Sequence, residues 1–299
     1  MKWILIALFL GSIGYVHFRG RVRHRIFKQI FDLSGFLAPI NVFMYAFSKV
    51  KADPYVPVSQ FPELAPLAEN WKIIRDEAIH LREQQRIQAA QTNNDASFNS
   101  FFKTGWKRFY LKWYDANQPS AEELCPKTVA LLHTIPTIKA AMFAELPPAG
   151  VLNPHRDPYA GSIRYHLGLV TPNNDGCYIK VDGQDYSWRD GECVMFDETY
   201  IHEAHNTTDI DRIILFCDIE RPMRYKWAQS VNHFLGSTLI TAASSPNQAG
   251  DQTGLFNHLF HYVWVIGQYR RRFKRWNGTV YKITKIALIL GAIVLIWRW

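Results

Sequence analysis

The chain has 299 residues, of which 48% are hydrophobic and 14% aromatic, so it is long and apolar enough to bury a core without disulfide staples. This composition excludes an intrinsically disordered chain and a small disulfide-rich protein. The four cysteines stand singly, without the paired spacing of a zinc finger, and we expect them to be reduced, buried thiols.

The net charge of +8 is concentrated at the two ends. Residues 1–28 hold six basic and no acidic side chains, and residues 270–299 hold eight basic and no acidic ones. Residues 29–269 hold the other 20 basic residues against all 26 acidic ones. A nucleic-acid-binding protein usually carries its basic residues on the folded domain, so we expect no nucleic-acid partner.

The chain opens with an apolar run, Trp3 to Phe18, which is followed by the basic cluster RGRVRHR. The run is slightly shorter than the about 20 residues of a bilayer span, although flanking arginines extend such helices. A cleaved signal peptide, the alternative, has more basic residues before its apolar run and small residues after it. Residues 1–18 are therefore predicted to be a retained transmembrane anchor, followed by a basic juxtamembrane and interfacial segment over 19–62.

The middle of the chain changes from helical to strand patterning. Apolar residues recur at helical spacing between Glu63 and Ala90, which predicts one or two amphipathic helices, and a further helix is predicted near Ala121–His133. Six short apolar segments separated by turn residues follow: AAMFAEL (140–146), SIRYHLGLV (162–170), CYIKV (177–181), DYSW (185–188), ECVMFD (192–197) and RIILFCDI (212–219). Such a series predicts a mainly β domain over 63–225, either an antiparallel sandwich or a jelly roll.

The C-terminal region mirrors the N-terminal one. Residues 226–279 are predicted to form an interfacial helical region that ends in the cluster RRRFKR, and 280–299 to form a second transmembrane anchor. A packed helix is the alternative for the second anchor. Because both basic clusters face the middle of the chain, the positive-inside tendency places the central domain in the cytoplasm.

Three residues carry the types of side chain that bind a metal ion. His155 and Asp157 lie two apart in the motif HRDP, and His202 follows 47 residues after His155, in the predicted turn ETYIHEA. Two imidazoles and a carboxylate form the ligand set that holds Fe(II) while leaving positions open for a substrate and O2. The alternative is a surface pair or a set of hydrogen-bonded structural groups.

Further polar residues lie on the neighbouring predicted strands. Arg212 begins RIILFCDI, where a guanidinium can hold a carboxylate through two hydrogen bonds. Arg164 and His166 alternate with apolar residues on SIRYHLGLV and therefore share a face. A structural hydrogen-bonded pair is the alternative for these two residues.

These motifs together resemble a known family. The segments HRDPYAGSIRYHLGLV, GCYIKV, W-x-x-GE, FDETYIHEAHN and DRIILFCDI are similar to those of the aspartyl/asparaginyl β-hydroxylases, which are Fe(II)- and 2-oxoglutarate-dependent dioxygenases. With an anchor predicted at each end, the chain most resembles the lipid A 2-hydroxylase branch, which acts on acyl chains in the bacterial inner membrane. The resemblance covers about residues 150–222.

The resemblance implies a double-stranded β-helix with flanking helices and specific roles for the candidate residues. His155, Asp157 and His202 would bind Fe(II), Arg212 would bind the distal carboxylate of 2-oxoglutarate, and His166 and, less securely, Arg164 would lie in the cosubstrate pocket. The expected reaction uses O2 to hydroxylate C2 of a fatty acyl chain of lipid A. Two alternatives remain open: a membrane-bound peptidyl Asp/Asn β-hydroxylase, and a membrane-tethered jelly roll that binds a ligand without turnover.

Overall fold

A computed structural model describes residues 1–90, 95 and 97–298, apart from the side chains of 261, 264, 289, 290 and 292–298. The described residues include ten β-strands: β1 (Tyr55–Val56), β2 (Lys107–Trp113), β3 (Ile138–Leu146), β4 (Val151–His155), β5 (Ser162–Val170), β6 (Cys177–Val181), β7 (Gln184–Ser187), β8 (Cys193–Phe196), β9 (His202–Asn206) and β10 (Arg212–Glu220). They form a six-stranded sheet in the order β1-β8-β5-β10-β3-β2 and a four-stranded sheet in the order β4-β9-β6-β7. All strand pairs are antiparallel.

The six-stranded sheet is buried on both faces. On β5, Ile163, Tyr165 and Leu167 belong to one hydrophobic cluster, whereas Arg164 and His166 face the opposite way, toward the four-stranded sheet. The side chains of β10 also alternate between the two faces of the sheet. Its odd-numbered residues belong to the first cluster, and Ile214 and Phe216 belong to a second cluster between the sheets. Two stacked antiparallel sheets with a core between them fit a jelly roll, so the expectation of a mainly β fold of this type is confirmed.

The described part of the chain also contains eleven α-helices: α1 (Lys2–Phe18), α2 (Ile26–Phe31), α3 (Leu33–Phe36), α4 (Ala38–Phe47), α5 (Ala65–Glu69), α6 (Trp71–Glu83), α7 (Pro119–Leu124), α8 (Pro126–His133), α9 (Lys226–Leu235), α10 (Leu255–Trp276) and α11 (Gly278–Arg298). The helices predicted within 63–90 and 121–133 are confirmed as α5 to α8. Their buried residues, among them Leu67, Ile74 and Leu132, cover the outer face of the six-stranded sheet. Prolines within the first turns of α5, α7 and α8 favour helix initiation there.

The two predicted anchors are helical but are not supported as membrane spans. Among the described residues, no helix combines the length and the apolar character that crossing a bilayer requires. α1 has 17 residues, and its side chains at Ile13 and Val16 pack against Ala38 of α4. Trp299 and the side chains of 292–298, at the end of the second predicted anchor, lie outside the described residues.

Candidate metal centre

The two candidate histidines face each other across neighbouring strands. β4 pairs with β9 so that His155 lies directly opposite His202, and the centroids of the two imidazole rings are 4.2 Å apart. Asp157 follows two residues beyond the end of β4. One nitrogen from each histidine and one carboxylate oxygen of Asp157 all lie within 4.8 Å of one another. The strand register therefore creates a three-ligand cluster that no short segment could form alone.

Hydrogen bonds to the backbone fix which imidazole nitrogen is free. Nδ1 of His155 lies 2.7 Å from the carbonyl oxygen of Asn153, and Nδ1 of His202 lies 3.0 Å from that of Tyr200. A carbonyl only accepts, so each Nδ1 carries the proton and each Nε2 keeps a lone pair for a metal ion. Burial lowers the pKa of His155, and burial together with the charge of His155 lowers the pKa of His202 to about 3. Both rings are thus neutral at physiological pH, as metal binding requires.

The carboxylate of Asp157 is held by an arginine. Arg164 donates from Nη2 to Oδ2 of Asp157 at 2.6 Å and from Nε to Oδ1 of Asp218 at 2.9 Å. Oδ1 of Asp157 remains beside the histidines, 3.9 Å from Nε2 of His155. Burial alone would raise the pKa of Asp157, but the charge of Arg164 and its hydrogen bond to the carboxylate outweigh it and lower the pKa below its ordinary value.

Two further carboxyl groups surround the same guanidinium. Burial raises the pKa of Asp218 and raises that of Glu198 to about 8. Oε1 of Glu198 accepts a hydrogen bond from Ser162 at 2.7 Å, while its Oε2 has no hydrogen-bond partner among the described residues. Asp157 is therefore the one of these three carboxyl groups whose pKa is lowered, and two neutral imidazoles with one carboxylate fit a divalent iron ion.

The inner end of the same pocket contains polar groups without partners. Within the described part of the chain, no hydrogen-bond partner is present for Nε of Arg212, for either ring nitrogen of His166 or for Nε1 of Trp188. The Arg212 guanidinium lies over the Trp188 ring at 4.3 Å, and burial lowers its pKa to about 10, so it remains positively charged at neutral pH. Buried polar groups in folded proteins are normally paired, which indicates that an anionic ligand completes this end.

The walls between these two ends are mostly aromatic and aliphatic. The Phe101 ring lies 4.7 Å from the His155 ring at the metal end. The other apolar lining residues are Phe98, Trp106, Ala144, Leu152, Ile179, Trp188, Phe196, Ala204, Ile214 and Phe216. A pocket of this kind accepts an apolar substituent more readily than a charged one.

All six residues singled out from the sequence line this one pocket. Two of them differ in detail from expectation. His202 is the first residue of β9 rather than part of a turn, because it pairs with both Val181 and His155. Arg164 is engaged by two carboxylates and does not present a free guanidinium to the pocket.

Sequence reasoning gave no role to the aromatic lining. Trp188 was visible in the motif W-x-x-GE, and Phe101 in the aromatic segment FFKTGW, but an aromatic residue in a short apolar segment is usually part of a core. Trp188 contacts Arg212 at the polar end and Phe101 contacts His155. Both contacts join residues that are far apart in the sequence, so no local pattern indicates them.

Comparisons with known proteins agree with this geometry. A family model described as aspartyl/asparaginyl beta-hydroxylase matches residues 68–222, a range that includes all six candidate residues. An ornithine lipid ester-linked acyl 2-hydroxylase from Rhizobium tropici is 34% identical over 181 residues, which cover 60% of this chain and 64% of that protein. Human aspartyl/asparaginyl beta-hydroxylase is 27% identical over 187 residues, covering 60% of this chain and 24% of that protein. The chain thus spans less than two thirds of the length of either relative.

Among solved structures, a Pseudomonas putida prolyl-4-hydroxylase is 17% identical and aligns over 52% of this chain and 88% of its own, with a TM-score of 0.34. That likeness is too distant to support an argument.

Proposed function

Because the chain belongs to the aspartyl/asparaginyl β-hydroxylase family, we propose that it is an Fe(II)- and 2-oxoglutarate-dependent dioxygenase. The proposed substrate is a fatty acyl chain of lipid A, which is hydroxylated at C2. The proposed location is the bacterial inner membrane, with the catalytic domain on the cytoplasmic side. This orientation follows from the basic clusters that flank the central domain.

One observation supports the proposal most directly: the pocket has a three-ligand cluster at one end and, at the other, a buried arginine whose Nε has no hydrogen-bond partner in the described part of the chain. His155, Asp157 and His202 would hold Fe(II), and Arg212 would hold the distal carboxylate of 2-oxoglutarate. Bound Fe(II) with 2-oxoglutarate supplies the O2 activation that breaks an unactivated C–H bond. The protein's contribution is to hold one carbon of the substrate beside the cluster.

Two observations favour a lipid over a peptide. The lining near His155 is aromatic, as suits an acyl chain, and the chain is similar to a protein named as a lipid acyl 2-hydroxylase. Lipid A is favoured among lipids because its phosphates complement the basic clusters at residues 21–28 and 270–275.

The second candidate is hydroxylation of an Asp or Asn side chain in a peptide. It is favoured by the similarity to human aspartyl/asparaginyl beta-hydroxylase. An acidic substrate side chain would need polar partners along the walls between the ligand cluster and Arg212, and those walls are mostly aromatic and aliphatic.

Mass spectrometry of lipid A separates these candidates. Lipid A is extracted from Gram-negative cells that produce the full chain, the His155→Ala variant or neither. We expect one added oxygen on an acyl chain only with the unmodified chain, and fragmentation should place it at C2. Hydroxylation of another membrane lipid with unmodified lipid A would contradict the lipid A assignment, and hydroxylated Asp or Asn in membrane proteins would favour the second candidate.

A further inference from the structure

The short helices α2 and α3 are amphipathic in the reverse of the usual sense. Their buried residues are polar or small, namely Gln29, Ser34 and Gly35. Their large apolar residues point outward, and Phe27, Phe31 and Phe36 are 75%, 81% and 69% exposed. A helix at a water-facing surface normally buries its apolar side. Residues 22–36 are here called the docking segment. Their outer face is therefore suited to apolar surroundings.

Specific contacts maintain this inverted arrangement. The side-chain amide of Gln29 donates to Oγ of Ser34 at 3.0 Å, and Oδ1 of Asp32 accepts from the backbone and hydroxyl groups of Ser34 at 2.9 and 2.6 Å. A Cβ atom at Gly35 would lie only 2.2 Å from the carbonyl oxygen of Gln29, so no larger residue fits there. The polar side chains are thus used within the segment, and the outward phenylalanines are a consequence of its packing.

The elements that flank the docking segment are bonded to the metal-ligand loop. Arg156, between His155 and Asp157, donates from Nη1 to the carbonyl oxygen of Val16 at 2.7 Å. Asn41 of α4 donates to the carbonyl oxygen of Pro158 at 2.8 Å. The docking segment therefore lies between two attachments to the loop that carries two of the three ligands.

The start of the docking segment is attached to the strand beside His202. The carboxylate of Asp182 accepts hydrogen bonds from the backbone nitrogens of Arg21 and Val22 at 3.0 and 2.8 Å. Asp182 directly follows Val181, which pairs with His202. Whatever surface the docking segment contacts is consequently brought close to the metal pocket.

Basic side chains accompany the exposed apolar ones. Arg21, Arg23, Arg25 and Lys28 are exposed, and residues 1–28 contain no acidic residue. Phe27, Ile30 and Phe31 have the i, i+3, i+4 spacing that places side chains on one helical face. An apolar face bordered by cations complements the surface of an anionic bilayer, whose headgroups attract the cations and whose acyl chains accept the aromatic rings.

We propose that the docking segment binds the surface of an anionic lipid bilayer, inserts Phe27, Phe31 and Phe36 among the acyl chains, and thereby places the metal pocket against its lipid substrate. The benefit of such docking rests on the proposed function, but the contact itself does not. A second copy of the chain is the alternative occupant of this face.

The test measures the depth of a spin label at position 31 of the full chain. The label is attached to the Phe31→Cys variant in a Cys193→Ser background, because the other three cysteines are buried. The matched control is Ile210→Cys, a 49% exposed apolar position in the turn between β9 and β10. Collisions with O2, which concentrates in lipid, are compared with collisions with a water-soluble nickel chelate.

With vesicles of phosphatidylglycerol and phosphatidylcholine, the ratio of O2 to nickel collisions should rise severalfold at position 31 and stay unchanged at position 210. Vesicles of phosphatidylcholine alone should give a smaller rise. Equal exposure to nickel at both positions would overturn the proposal, as would protection of position 31 from both reagents, which indicates burial against a second copy. A lipid-inserted label with unmodified cellular lipids would refute the proposed function alone.

Discussion

At the scale of single residues, Arg164 links the ligand cluster to the rest of the pocket. It bridges Asp157 and Asp218, and its guanidinium lies 3.6 Å from the centroid of the Phe216 ring. Since one oxygen of Asp157 is occupied by this arginine, the other is turned toward the histidines. We therefore propose that Arg164 positions the ligand carboxylate; the cosubstrate-binding role that the family resemblance implied stays a prediction.

Replacing Arg164 with methionine should weaken Fe(II) binding while retaining most of the side-chain volume. Loss of a hydrogen bond to a metal ligand costs about 10- to 100-fold in metal affinity, and Asp157→Ala should cost more. Anaerobic Fe(II) titration of the purified variants measures this effect, and Arg164→Lys should restore part of the affinity. Unchanged iron affinity with a raised KM for 2-oxoglutarate would show instead that Arg164 binds the cosubstrate.

Replacing Arg212 should instead raise the KM for 2-oxoglutarate and leave Fe(II) affinity unchanged. Its buried Nε has no hydrogen-bond partner among the described residues, so Arg212→Met should remove a partner of 2-oxoglutarate and leave the ligand cluster intact. Loss of two charge-assisted hydrogen bonds, worth roughly 3 kcal/mol together, corresponds to about a hundredfold higher KM for 2-oxoglutarate. Steady-state succinate formation measures it. A variant with the original KM would remove Arg212 from the cosubstrate site.

At the scale of elements, a buried ion network joins the N-terminal helices to the barrel. Arg19 follows α1 and donates to Asp197 at 2.6 Å, and Arg221 lies 2.9 Å from the same carboxylate. The Arg19 guanidinium is stacked between the rings of Tyr45 and Tyr200, at 4.0 and 4.1 Å. The first arginine of RGRVRHR thus belongs to the folded core, whereas the basic residues that follow it are exposed.

Asp197 should make the protein sensitive to acid. Burial alone would raise the pKa of Asp197, but the charges of Arg221 and Arg19 outweigh it and lower the pKa far below its ordinary value. Because the unfolded chain binds this proton more readily, the stabilisation is complete above about pH 4 and is lost as the pH falls below that value.

The variant Asp197→Asn should lower the free energy of unfolding by about 3–5 kcal/mol at pH 7, since it leaves two buried cations without their partner. Thermal unfolding between pH 3 and pH 7 measures both effects, and the variant should show a shallower loss of stability on acidification. Asp185→Asn, at a more exposed carboxylate paired with Lys180, is the control and should change little. Identical melting curves for Asp197→Asn and the unmodified chain would contradict the structural role of the network.

Strands with local periodicity could be predicted, and those that depend on distant pairing could not. All six predicted strands are present as β3, β5, β6, β7, β8 and β10. β4 contains Pro154 and lies at a sheet edge, and β9 reads HEAHN, with four polar residues in five. β2 has a register shift between Tyr110 and Lys112, which interrupts its pattern. The two strands that carry the histidines were therefore those with the weakest sequence signals.

At the scale of the whole molecule, ligand types could be predicted from the motif HRDP and the later His202 and Arg212, because chemical identity is local. The opposition of His155 and His202 required the pairing of β4 with β9, which the motifs do not encode by themselves. The inverted faces of α2 and α3 also escaped prediction, since their orientation is set by contacts within 22–36 and with the barrel. The separation of residues 1–62 from the catalytic domain stays a prediction, although Arg19 and Asn41 bond directly to the barrel.

The most direct test of the central claim is Fe(II) binding by the purified full chain, followed by 2-oxoglutarate turnover when O2 is admitted. We predict one Fe(II) per chain and formation of succinate, and loss of both in His155→Ala and in His202→Ala. His205→Ala, which removes the β9 histidine that stacks on Tyr178 outside the pocket, should retain both. Equal iron binding by the unmodified chain and the two ligand variants, or an iron-loaded chain that never consumes 2-oxoglutarate with lipid present, would contradict the account.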